Sequence, residues 1–117
     1  MSPISINIYK NIPILKITGM LHLAMTREFT DLLRYFIQSG RLFIIVDLSE
    51  LEGMQSAGLA ALAAGANQLE AQGGKLIVVA PASASIIQLI DLSHSGRYLT
   101  IFETLEEALE HIPPQGE

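Results

Sequence analysis

Ile4, Ile6 and Ile8 alternate with Ser5, Asn7 and Tyr9, the period-2 pattern of a strand with one buried face. Lys10-Asn11 is a turn signal, and the apolar segment Ile12 to Thr18 after it predicts a second strand and so an opening β-hairpin. Pro13 brings no N–H to a ladder and belongs near a strand start or at an edge. After Gly19 the period changes. Phe29, Leu32, Leu33, Phe36 and Ile37 fall on one face of a helix for which Thr26 offers a cap and Gly40 a stop. Leu42-Phe43-Ile44-Ile45-Val46 is an unbroken apolar run of strand length, which predicts a central strand with Asp47 at its carboxyl end.

A second helix is expected from Ser56 to Ala71, closed by Gly73-Gly74, and then a buried strand from Leu76 to Val79 ended by Pro81. A third helix is expected near Ser83 to Leu92 and a short strand within Tyr98 to Phe102. Thr104 with Glu107 forms a capping box for a last helix through Ile112, which Pro113-Pro114 stops. The order β-β-α-β-α-β-α-β-α predicts an α/β fold: a mixed sheet of four to five strands packed with about four helices. Residues 1–112 make one domain and 113–117 a short C-terminal tail.

Composition narrows the function. Half of the 117 residues are apolar, enough for a core that needs no metal or disulfide, and with no cysteine there is no thiolate site or cysteine nucleophile. Seven Lys and Arg against twelve Asp and Glu leave a net charge of −5, which argues against direct nucleic-acid binding. The amino end has no signal-like pattern, and the expected location is the cytoplasm.

From Gly53 to Leu69 seventeen residues pass without a charge, unusual for a helix that shows one face to water. At 100° per residue, Leu59, Leu62, Ala66 and Leu69 gather on the side that covers the sheet. Ala57, Ala60, Ala61, Ala64, Asn67 and Gln68 are left outside. Small uncharged residues let another backbone approach and cost little desolvation, as at a contact surface. A neighbouring helix of the same chain or a homodimer would satisfy the same pattern. Only ten residues separate Ser56 from Asn67, too few for the roughly 20 of a membrane span, so no membrane insertion is expected. Ser56 itself stands at the helix mouth. Its hydroxyl suits an N-cap, and it equally suits a phosphoryl group, whose roughly −1.5 to −2 charge the helix dipole favours. Asp47, Glu50 and Glu52, on the expected loop into this helix, would oppose that charge.

Val46-Asp47-Leu48-Ser49, then Met54-Gln55-Ser56-Ala57-Gly58-Leu59, then Gly73-Gly74-Lys75-Leu76 resemble the STAS domain family, in particular bacterial anti-sigma factor antagonists. The resemblance runs from about Ile4 to Ile112. It implies a transcription-regulating switch that binds an anti-sigma factor serine kinase and releases a sigma factor. Phosphorylation of Ser56 would end the binding and a serine phosphatase would restore it. Met54, Gln55, Ala57, Gly58, Ala60, Ala61, Ala64 and Asp47 would form the partner-binding surface. Gln55 stands where the usual motif has aspartate, which keeps size and hydrogen bonding but removes a formal charge that a kinase could read. The other reading of the resemblance is a non-phosphorylated scaffold, ligand sensor or transporter-associated subunit.

Enzyme chemistry is not expected, nor is a cofactor. A receiver-type site would need an acidic pair after the first strand, and Tyr9-Lys10-Asn11 and Thr18-Gly19-Met20 supply none. Ser56, His94 and Asp47 could be named as a hydrolytic set, but no G-x-S-x-G elbow is present. His22, His94 and His111 lack metal-ligand spacing. Gly73-Gly74-Lys75 is followed by a strand, not by the Ser or Thr and helix of a phosphate loop.

Overall fold

A computed structural model of the chain describes residues 3–79, 100–113 and 115. Strands β1 (Ile4–Tyr9) and β2 (Ile12–Leu21) form the hairpin, followed by α1 (Leu23–Gln38), β3 (Phe43–Met54), α2 (Ser56–Ala71), β4 (Lys75–Val79), β5 (Thr100–Phe102) and α3 (Leu105–Glu110). The helix expected at Ser83–Leu92, Tyr98 and Leu99, and the loop with His94 lie outside the described residues. The five strands lie in the order β1-β2-β3-β4-β5, antiparallel at β1/β2 and parallel elsewhere.

Local chemistry explains the boundaries. Lys10 and Asn11 both have positive φ, 50° and 68°, as a two-residue type I′ hairpin turn requires. Pro13 opposes Ile8, and the ladder to β3 begins one residue later at Ile14, so its missing N–H leaves no gap. Both long helices end in a Schellman arrangement. After α1 the N–H of Gly40 bonds Ile37 O and that of Arg41 bonds Phe36 O; after α2, Gly73 bonds Glu70 O and Gly74 bonds Leu69 O. Gly40 and Gly73 occupy the left-handed position, at φ 91° and 85°.

Because each crossover steps the same way across the sheet, the right-handed rule puts α1 and α2 on one face, where they touch. Leu15, Ile17, Ile44, Val46, Leu76 and Val78 meet them there. Ile12, Ile14, Ile45, Ile77 and Val79 point the other way, under Ala108 and Ile112 of the C-terminal segment. Thr104 caps α3, its Oγ1 accepting the Glu107 N–H at 3.1 Å, and the helix ends at Glu110, two residues short of Ile112.

Three expectations need correction. Thr26 is not the cap of α1: His22 is, and Thr26 sits inside the first turn, its hydroxyl donating to His22 O at 3.1 Å. Strand β2 continues past Thr18 to Leu21, and β3 runs twelve residues to Met54 instead of ending at Asp47. The added lengths pair with each other, Thr18 with Glu50 and Leu21 with Met54, across two register shifts. Tertiary pairing makes a strand of Leu48 to Met54, whose alternation the bulges hide.

Candidate functional site

The sequence candidates converge on the end of β3 and the start of α2. Asp47 is the last β3 residue paired with β4, and beyond it β3 keeps only β2 as a neighbour. Its side chain is 6% exposed and accepts the Ser49 N–H at 2.9 Å, so it shapes the strand from beneath and does not line a surface. Glu50 and Glu52 are strand residues, not loop residues. Glu50 pairs with Lys16 across the β2/β3 ladder. The hydrogen bond to Glu50 holds the Lys16 ammonium above its ordinary pKa of 10.5, desolvation works against it, and the charges of Glu50 and Asp47 add to the rise. One of the negative charges expected to oppose an anion at Ser56 is therefore balanced locally.

Met54 ends β3, and Gln55 is the N-cap of α2, with extended backbone and no side-chain cap bond. Ser56, expected as the cap, is instead the first helical residue, and it is exposed. The Gln55 backbone anchors the turn at both ends. Its N–H donates to Leu21 O at 3.3 Å, and its carbonyl accepts the Gly58 N–H at 2.9 Å. The Ser56 hydroxyl thus stands at the open end of a helix held to the tip of β2.

Along α2 the outer residues divide. Ala60, Ala64, Asn67 and Gln68 are exposed. Ala57 is half-buried and Gly58 fully so, beside Leu59. Ala61, placed by periodicity on the outside, is half-buried and packs on the core shared with α1. The bare surface is therefore narrower than the helical wheel implies. It begins at Gln55 and Ser56 and continues over Ala60 and Ala64.

Met20 also belongs to this end of the molecule and was absent from the sequence candidates. It pairs with Gly53, is 51% exposed, and its Sδ and Cε occupy the space that a side chain at Gly53 would need. No periodicity signals it, because its place depends on the register of β2 against β3. Among the described residues no group of His, Asp and Glu is arranged to hold a metal ion, and no helix is long and apolar enough to cross a membrane.

The model of the STAS domain matches residues 3–108. This chain belongs to the STAS domain family. Among curated proteins no relative is matched. The solved anti-sigma factor antagonist SpoIIAA in its unphosphorylated form superposes with a TM-score of 0.75 at 17% identity, over 93% of this STAS domain and 99% of that chain. An anti-sigma factor antagonist from Mycobacterium paratuberculosis superposes at 0.81 with 20% identity, covering 92% and 90%. The murine anion transporter Slc26a9 is matched at 0.64 with 20% identity, over 85% of this STAS domain but 17% of the transporter. At these identities the likeness is one of fold. The mixed five-stranded sheet with its opening hairpin is the STAS architecture.

Proposed function

We propose that this chain is an anti-sigma factor antagonist that works by protein contact, docking on a kinase-type anti-sigma factor through the start of α2 and releasing a sigma factor. The observation that carries the reading is the exposed Ser56 at the mouth of a helix whose outward Ala60 and Ala64 bear no charge. A partner helix can approach such a face closely, and nothing on it must lose a hydration shell bound to a charge. Phosphate on Ser56 would sit at the positive end of α2 and bring roughly −1.5 to −2 charge to the rim of this surface, turning a neutral contact into a repulsive one for an acidic partner face. A serine phosphatase would restore the neutral form. Gln55, Ala57 and Gly58 shape the backbone beside Ser56, with Met54 at the end of β3 and Asp47 holding the strand below.

The test is incubation with an anti-sigma factor kinase and ATP, intact mass measurement, and Ser56→Ala as control, followed by calorimetric titration of both forms. One phosphate that is absent from Ser56→Ala, with binding weakened more than about tenfold, is the expected result. Binding without any phosphate transfer would favour the second reading, a constitutive scaffold or transporter-associated module. Two observations point that way: Gln55 stands in place of the usual aspartate, and the fold recurs within a transporter.

A further inference from the structure

We propose that the end of the sheet where β3 and β4 begin, away from Ser56, holds a binding site for a small aromatic carboxylate. The inference does not rest on docking at the head of α2. Lys75 pairs with Phe43 and Ile77 with Thr100 across neighbouring strands, and Phe102 pairs with Val79. Residues two apart on a strand share a face, so Phe43, Lys75, Ile77, Thr100 and Phe102 stand together on the side that α3 covers. Helix α3 has six residues, about 9 Å of axis, and packs on β4 and β5. Beside it lies a cavity of about 300 Å³, lined by these five side chains, by Gly73 and Gly74 after α2, and by His111 after α3.

The lining divides into an apolar base and a single cation. Ile77 is buried, and Phe43 and Phe102 are half-buried. The His111 ring extends this aromatic surface, lying on Phe102 with centroids 4.5 Å apart and planes inclined by 35°. His111 Nδ1 is 2.9 Å from Glu107 O, and because a carbonyl only accepts, the ring donates there and is held in place. Lys75 is exposed and makes no ion pair among the described residues. Thr100 sets a hydroxyl among the same lining residues.

The surroundings favour an anion at Lys75. No carboxylate lines the cavity, because the glutamates of α3 are engaged elsewhere. Glu107 accepts from Thr104 Oγ1 at 3.3 Å, and Glu106 and Glu110 line a separate groove with Lys10. The carbonyls that end the neighbouring helices are also taken: Leu69 O by Gly74 N–H, Glu70 O by Gly73 N–H, Ala108 O by His111 N–H and Leu109 O by Ile112 N–H. An ammonium with a hydroxyl suits a carboxylate, and an aromatic wall over a buried isoleucine suits a ring. The volume stands at the lower limit of ligand pockets, which selects a single-ring molecule.

The test is titration of the isotope-labelled full chain with benzoate, followed by amide chemical shifts, with benzyl alcohol and inorganic phosphate as separate arms. Benzoate is expected to move the amides of Lys75, Thr100, Phe102 and His111 saturably, with a dissociation constant of about 5 mM or lower. The alcohol, which lacks the charge, and phosphate, which lacks the ring, should each bind at least about fivefold more weakly. Lys75→Met keeps the stem and removes the charge; it should weaken benzoate by about fivefold or more and leave the alcohol unchanged. No saturable shift below about 20 mM overturns the proposal, as do shifts centred away from the cavity, phosphate binding as tightly as benzoate, or full benzoate affinity in Lys75→Met. If that variant does not fold, the three arms on the wild-type chain decide: benzoate ahead of both others at these amides supports the site, and any other order refutes it.

Discussion

Helices α1 and α2 cover the same face of one sheet with opposite kinds of side chain. Helix α1 turns Phe29, Leu33, Phe36 and Ile37 inward and shows Arg27, Glu28, Asp31 and Arg34 to water, with Asp31 and Arg34 at 3.7 Å. Helix α2 buries Gly58, Leu59, Leu62, Gly65, Ala66 and Leu69 and shows Ala60, Ala64, Asn67 and Gln68. The first carries large apolar groups and a hydrated exterior, so its place follows from amphipathicity alone. The second lets α1 come close through Gly65, where a Cβ would stand 3.1 Å from Leu33 Cδ1, and leaves an exterior with no charge to hydrate. Both helices anchor in the core, but the first buries the larger side chains under a charged exterior and the second leaves its exterior uncharged.

Three measurements would break or sharpen that contrast. Phe29→Ala removes a fully buried ring from α1 and is expected to cost about 3–5 kcal/mol in urea denaturation, as a cavity that the rigid sheet cannot fill. Gly65→Leu would push α1 and α2 apart where Leu33 packs on Gly65, for about 1–3 kcal/mol by the same measurement. Ala60→Glu, on the bare face, should move stability by no more than about 0.5 kcal/mol while lowering affinity for the proposed partner, an anti-sigma factor. A change at Ala61 would confuse the two effects because that residue packs on the core. If Ala60→Glu instead unfolded the chain, the division of labour between the helices would be wrong.

The smallest effect lies away from both helices. Lys16 has its folded pKa raised by Glu50, so its contribution is complete below the ordinary 10.5, where it is charged folded and unfolded alike. That contribution is lost as pH rises through the folded value. Thermal melts of wild type and Lys16→Gln should differ slightly near neutrality and converge above that value, and a gap that widened with pH would contradict the assignment.

Helix α2 was legible in the chain from Ser56 to Ala71 because a stretch rich in alanine and leucine favours helix and two glycines stop it. The hairpin was legible because Lys10-Asn11 separates two apolar segments as a turn; that both residues take positive φ is what the structure adds. What escaped was long-range. That Leu48 to Met54 is strand depends on β2 running beside it, and two register shifts erase the alternation that would announce it. Ser56 gave way to Gln55 as cap for a similar reason, because Leu21 O, distant in sequence, holds the Gln55 N–H.

Periodicity, turn chemistry and missing charge are properties of neighbours along the chain, and they were sufficient for the kind and order of the described elements and for naming the head of α2 as the candidate site. Which alanines face water, that Asp47 lies buried, and that Met20 joins the site through Gly53 were settled by how β2 and β3 register and how closely α1 meets α2. Those contacts join residues far apart in the chain, whose energies depend on distances that no local pattern encodes.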